Sequence, residues 1–228
     1  MFGLPSSTDF GKKIPKQAFY EKGDVTSVVK RLFINCVENI IWQNKLSPST
    51  ERQSGTLAVS KGRDVLEIEV IEIELRDEIK KLEDFLTVMD KASPHHAVFI
   101  TTLNGMSQIW IGFKNIQIFE NVKKFTVSDP VYFHSDWQDS SVIQLKLQGL
   151  TIDEIYENLI RSLDPKLFSK RPDESLKDCV LRYTKFKSLD EERTNLRKKM
   201  SKEIQTNRKV DIKEQIKQLN SQIEELEK

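Results

Sequence analysis

The sequence predicts an α/β fold on a mixed sheet, with α+β as the alternative, followed by a C-terminal helical tail. Three observations lead there. Residues 64–75 alternate apolar and acidic side chains, Leu66, Ile68 and Val70 against Glu67 and Glu69, with the two-residue period of a strand. Asn104-Gly105 stands between two β-rich runs as a tight hairpin signal. Beyond residue 175, apolar residues recur three, four or seven apart among charges, the spacing of a coiled coil.

The elements follow in order. Residues 1–23 mix Gly3, Pro5, Gly11 and Pro15 with Phe2, Phe10, Phe19 and Tyr20, which predicts an irregular arm lying on the core. Asp24 is placed to cap a helix running to about Asn44, because Val25, Val28, Val29, Leu32, Phe33, Cys36, Val37, Ile40 and Ile41 share a helical face. The acidic strand changes phase at Val70 and Ile71, which predicts a bulge there or burial on both faces, its glutamates otherwise turning to water. Asp77 then caps a helix carrying Ile79, Leu82, Phe85, Leu86 and Met89 on one face. Strand, helix and strand make a βαβ unit with parallel strands. Strands at 97–103 and 106–113 flank the hairpin turn, short strands follow at 116–119 and 124–127, and 131–137 is an edge strand or ordered loop. Thr151-Ile-Asp-Glu154 is a capping box that opens a helix ending before Pro165.

The domain plan is therefore a compact domain over 1–164, a linker over 165–175 and a helical tail over 176–228. The tail's rhythm fails between Ile204 and Ile212, which predicts a hairpin turning near Asn207 with Asp211 capping the second arm. Hydrophobic residues make up 38% of the 228, enough for a core, while the 31% that are charged call for a solvated appendage. A net charge of +1 gives no global attraction to nucleic acid or anionic membrane, so such binding needs a local patch. Two distant cysteines, Cys36 and Cys179, the absence of a long apolar run and an N-terminus without signal-peptide order point to a cytoplasmic protein with no membrane partner. Cys36 reads as a small buried hydrophobe rather than a nucleophile.

Catalytic motifs are scarce. No Cys-x-x-Cys, His-Glu-x-x-His, glycine-rich phosphate loop or Gly-x-Ser-x-Gly is present. Adjacent His95 and His96 point to opposite strand faces and share no metal, so neither a metal ligand nor a cofactor is assigned. The enzymatic alternative is a Mg²⁺-dependent nuclease. A leading helix, an acidic strand, a helix and more strands loosely follow restriction-endonuclease-like cores, with Asp64, Glu67, Glu69 and Glu72 as carboxylates. No Glu-x-Lys stands on the strand, although Lys61 and Arg76 lie at its ends. For nucleic acid, Arg197, Lys198, Lys199, Lys202, Arg208 and Lys209 crowd what a hairpin would turn into a basic tip.

Several short motifs carry a family resemblance: Phe2-Gly-Leu-Pro5, Ile14-Pro-Lys-Gln-Ala-Phe-Tyr20, Trp42-Gln-Asn-Lys-Leu-Ser-Pro-Ser-Thr50, Gln108-Ile-Trp-Ile-Gly-Phe-Lys114, Tyr132-Phe-His-Ser-Asp-Trp137, Leu147-Gln-Gly-Leu150 and Asn207-Arg-Lys-Val-Asp-Ile212. Together they resemble a bacterial and archaeal domain-of-unknown-function family, DUF4391. Its members lie beside a helicase, a DNA methyltransferase and a restriction-type subunit, which implies a restriction or antiphage locus. The resemblance carries no catalytic residues, and Lys45, Thr50, His134, Asp136 and Trp137 are expected to serve packing and turns. The leading expectation is a non-catalytic accessory subunit whose tail, through Leu196, Met200, Ile204, Ile216, Leu219 and Ile223, docks to the helicase or methyltransferase or to a second copy.

Overall fold

A computed structural model describes residues 2–21, 25–49, 55–119, 121, 124–163, 171 and 174–227. The chain divides into two compact units, 1–164 and 165–228. The first begins with strand β1 (Asp9–Lys13) and the short helix α1 (Gln17–Tyr20), then α2 (Ser27–Asn35), β2 (Val37–Leu46), β3 (Ile68–Leu75), α3 (Leu82–Lys91), β4 (His96–Leu103) and β5 (Met106–Phe113). A separate hairpin, β6 (Ile116–Phe119) and β7 (Lys124–Val127), precedes β8 (Val131–His134), β9 (Gln138–Asp139) and α4 (Ile152–Leu163). The main sheet runs β1-β2-β3-β4-β5-β8, with β9 beside β5. All neighbours are antiparallel except β3 and β4, which are parallel across α3 as a βαβ crossover requires.

Two expectations change early in the chain. The helix expected to reach Asn44 stops at Asn35, and Val37–Leu46 is a strand; Asp24 lies outside the described residues and Thr26 caps α2 by accepting from Val29 N. Val37, Ile40 and Ile41 satisfy helical spacing but are β-branched, and pairing with β3 decides for the strand. The arm is not wholly irregular, since β1 pairs with β2. Of the two alternatives at Val70 and Ile71, burial on both faces holds, on a regular β3; the bulge lies on the neighbouring strand, where Trp42 faces Ile71 and Asn44 faces Val70 and the extra residue is Gln43 of β2.

The core lies between the sheet and α2 with α3. Phe33, Phe85, Leu86, Ile73 and Phe99 are its fully buried centre, and Phe33 packs on Phe85 at 4.3 Å. α3 starts at Leu82, later than the Asp77 cap would place it; Asp77 instead accepts from Glu78 N in the turn before. His96 turns to the other side, edge-on to Tyr156 of α4. α4 opens as its capping box predicts: Thr151 Oγ1 accepts from Glu154 N, and Glu154 Oε2 accepts from Leu150 N. Asn104 and Gly105, both at positive φ (51° and 79°), make the hairpin turn. Under the sheet, Lys114 Nζ donates to Asp90 Oδ1 at 2.6 Å and Tyr132 OH to Asp90 Oδ2 at 2.5 Å. All three side chains are buried, and burial raises the Asp90 carboxyl against the pull of Lys114.

The second unit holds α5 (Leu176–Lys202), capped by Ser175, and α6 (Thr206–Glu227). Arg171, ahead of α5, and Arg182 donate to Leu226 O, and Arg193 donates to Asn220, tying α5 and the residue before it to the second half of α6. The break falls at 203–205, ahead of Asn207, and Asp211 lies inside α6. Glu203, which ends α5, accepts from Ile204 N and Gln205 N within the connection. Most of the expected linker lies outside the described residues. No helix among the described residues is long and apolar enough to cross a membrane.

Candidate metal centre

Polar residues gather where β3 and β4 begin. Glu67, one residue before β3, and Glu69, inside it, project to the same face because strand side chains alternate. Neither turns to water as the alternation suggests: their exposures are 8% and 6%, and it is Leu66 that lies open. His95 precedes β4 and joins them, so that one ligand atom from each of Glu67, Glu69 and His95 lies within 4.8 Å of the others. The lysine comes from the neighbouring strand. Lys45 on β2 stands opposite Glu69 in the register, and its Nζ is 2.8 Å from Glu67 Oε2.

The hydrogen bonding is incomplete in an informative way. Ser93 Oγ donates to Glu69 Oε1 at 3.1 Å, yet Glu67 Oε1 and His95 Nδ1 are buried without partners. Buried polar atoms seldom go unsatisfied, because desolvation without a new bond costs about 1–3 kcal/mol. Burial pushes the Glu69 carboxyl up to about 7, with Glu67 adding to the rise and Ser93, Lys114 and Lys45 opposing it. Burial also lowers the His95 imidazole, favouring the neutral form that ligates metals. Two carboxylates and one neutral imidazole suit a divalent cation that prefers oxygen donors and keeps some of its water, such as Mg²⁺ or Mn²⁺.

The group opens on a cavity of about 440 Å³ walled by Lys45, Thr56, Lys61, Gly62, Glu67 and His95. Asp153 of α4 fixes part of its rim. Its carboxylate accepts from Arg63 N at 2.6 Å and Val65 N at 2.7 Å, and a Cβ on Gly62 would collide with it at 2.1 Å.

Of the four carboxylates proposed for a nuclease, Glu67 and Glu69 converge and two do not. Asp64 is exposed, and Glu72 faces the opposite side, bonded to Gln43 and Thr102. From sequence, His95 and Lys45 read as packing or strand-entry residues. Only the pairing of β2, β3 and β4 brings them in, and no local spacing signals it. His134 and Trp110 pack at 4.3 Å, Trp137 is partly exposed, Asp136 is exposed, and Thr50 lies outside the described residues.

In the second unit Ile216, Leu219 and Ile223 are buried within the unit, Leu196 and Met200 are half-buried, and Ile204 is 90% exposed. Arg197, Lys198, Lys199 and Lys202 occupy the end of α5, and Arg208 and Lys209 the start of α6, so all six flank the connection.

Residues 2–223 match the family described as Domain of unknown function (DUF4391). The chain belongs to this family. No curated protein and no solved structure matches this DUF4391 chain significantly.

Proposed function

We propose that this DUF4391 protein is a divalent-cation-dependent nuclease, with Glu67, Glu69 and His95 as the ion's ligands and Lys45 beside them. The carrying observation is a pair of buried atoms without hydrogen-bond partners, Glu67 Oε1 and His95 Nδ1, on two residues that converge with a second carboxylate. When bound, such an ion polarises a phosphoryl oxygen and lowers the pKa of a water. Lys45 supplies a cation at the same place, and releasing it from Glu67 would free it to contact a phosphate oxygen. Lys61, on the cavity wall, adds a second positive charge suited to an anionic strand. The succession α2, β2, acidic β3, α3, β4 is loosely the element order of restriction-endonuclease-like cores, which supports the reading by analogy.

The test is Mg²⁺- or Mn²⁺-dependent cleavage of labelled DNA and RNA. Activity should fall at least 100-fold in Glu67→Gln, Glu69→Gln and Lys45→Met, given that removing one stabilising group typically costs about 10²–10³. It should survive in Glu72→Gln. Full activity in Glu67→Gln would refute the assignment.

A second reading, compatible with the first, gives the tail the docking role, as part of a restriction or antiphage assembly with a helicase or methyltransferase. Exposed Ile204 and Val210 support it, set among the cations that flank the connection and also suit phosphate binding, with Leu181 exposed near the start of α5. Deleting residues 174–228 should abolish co-purification with such a partner and leave the first unit folded. Neutralising Lys198, Lys199 and Arg208 should flatten the salt dependence of DNA binding by roughly 0.9 for each phosphate no longer neutralised; unchanged co-purification and an unchanged salt slope would count against the tail.

A further inference from the structure

Glu69 has two surroundings. One carboxylate oxygen belongs to the ligand group, and the residue also lines a second cavity of about 280 Å³ between the sheet, α1 and α3. Its half-buried aromatic walls are Phe19 from α1 and Trp42 from β2, the buried Phe99 from β4 and Met89 from α3 also line it, and small or aliphatic residues such as Ile14, Ala18 and Ala97 complete it. At its edge stand Glu69 and Ser93, bonded to each other at 3.1 Å, and the Glu69 carboxylate keeps a second oxygen that can accept. The one other carboxylate there, Asp90, is already engaged by Lys114 and Tyr132.

The walls are held before anything enters. Trp42 Nε1 donates to Asn44 O at 2.8 Å, and Phe10 packs on the indole at 4.4 Å. Phe19 is stacked on the buried ring of Phe33 at 5.8 Å. The volume is below the roughly 300–1,000 Å³ of a drug-sized pocket and suits a single planar ring system. An aliphatic group would find no use for the carboxylate and hydroxyl at the edge, whereas a heteroaromatic ring with N–H groups matches both walls and rim.

We infer that this cavity seats an unpaired nucleobase of the strand whose phosphodiester is held at Glu67, Glu69 and His95, making single-stranded nucleic acid the substrate class. The inference rests on the nuclease reading, because the shared Glu69 is what brings base and phosphate within one nucleotide of each other. A base in a duplex is stacked and paired and reaches such a cavity only by extrusion, which costs least for single strands. Aromatic walls accept any base through its π face, so the cavity selects strandedness more than sequence.

The experiment uses the full chain with Ca²⁺ in place of Mg²⁺ and an oligonucleotide of roughly 12 nucleotides, within the span one binding module covers. The strand carries 2-aminopurine, and a partner of equal length carries abasic sugars. The base-bearing strand should bind roughly 5- to 150-fold more tightly, the range that stacking of one base supplies, with its fluorescence quenched. Phe19→Ala, which removes a wall, and Met89→Trp, which fills the space, should each lose most of that advantage while Mn²⁺ binding is retained. Equal affinity for the abasic strand, or wild-type base preference in both variants, overturns the base site even if metal-dependent cleavage persists. Base-dependent quenching in a protein that binds no Mn²⁺ and cleaves nothing would support the base site and refute the nuclease reading instead.

Discussion

Replacing Glu67 by Gln should leave the metal-free protein nearly as stable as before and remove its response to metal. The structure sets both magnitudes. In the metal-free chain Glu67 gains from Lys45, whose side chain is 36% exposed, and loses from the neighbouring Glu69 charge. Glu67 itself is only 10% exposed, so the pair contributes somewhat more than the about 0–1 kcal/mol of a surface pair; Gln keeps an oxygen for Lys45 to bond, and relief of the repulsion works in the opposite direction. For the wild type, Mn²⁺ at one hundred times its dissociation constant adds about 2.7 kcal/mol. At about 2–4 °C per kcal/mol for a chain of this size, the midpoint should rise by roughly 5–11 °C. The assay is thermal unfolding of the first unit followed by near-ultraviolet circular dichroism, with and without Mn²⁺. Glu72→Gln serves as control, since that carboxylate shares β3 but faces the other way. No shift in the wild type, or an equal shift in Glu67→Gln, would refute the ligand assignment.

Other consequences are tested separately. Asp153→Ala removes the acceptor for Arg63 N and Val65 N; it should cost about 1–3 kcal/mol and loosen residues 62–65, visible as faster amide exchange at Val65. Asp90→Asn strands the buried Lys114 ammonium and should cost about 3–5 kcal/mol in urea unfolding, whereas replacing both Asp90 and Lys114 with apolar residues of similar volume should recover much of the loss. Gly105→Val places a β-branched residue at φ 79°, where only turn formers sit comfortably, and should lower stability by about 1–2 kcal/mol without changing Mn²⁺ affinity.

Local signals are legible in the sequence and pairing is not. Asn104-Gly105 and Thr151-x-x-Glu154 specify their turn and cap through neighbours a few residues away, and both appear in the structure. The boundary at Cys36 escapes because Val37, Ile40 and Ile41 fit two periodicities at once, and the arbiter is β3, some thirty residues on. The site escapes for a related reason. Glu67 and Glu69 are recognisable as carboxylates on a strand, but alternation alone assigns polar residues to water, and their burial depends on what β2 and β4 bring alongside. Lys45 and His95 have no local mark, since each matters only through residues on other strands.

Along an ordinary strand, Trp42 and Lys45, three positions apart, would look in opposite directions. The additional residue at Gln43 resets the alternation, so that one strand presents an aromatic wall and a cation to the same side of the sheet. Were Gln43 drawn into the ladder as an ordinary strand residue, every bond up to Trp42 could persist while the ammonium group turned to the wrong side, whereas loss of Gln43 would leave Lys45 opposite Glu69; the kink is the phase-setter of the whole centre.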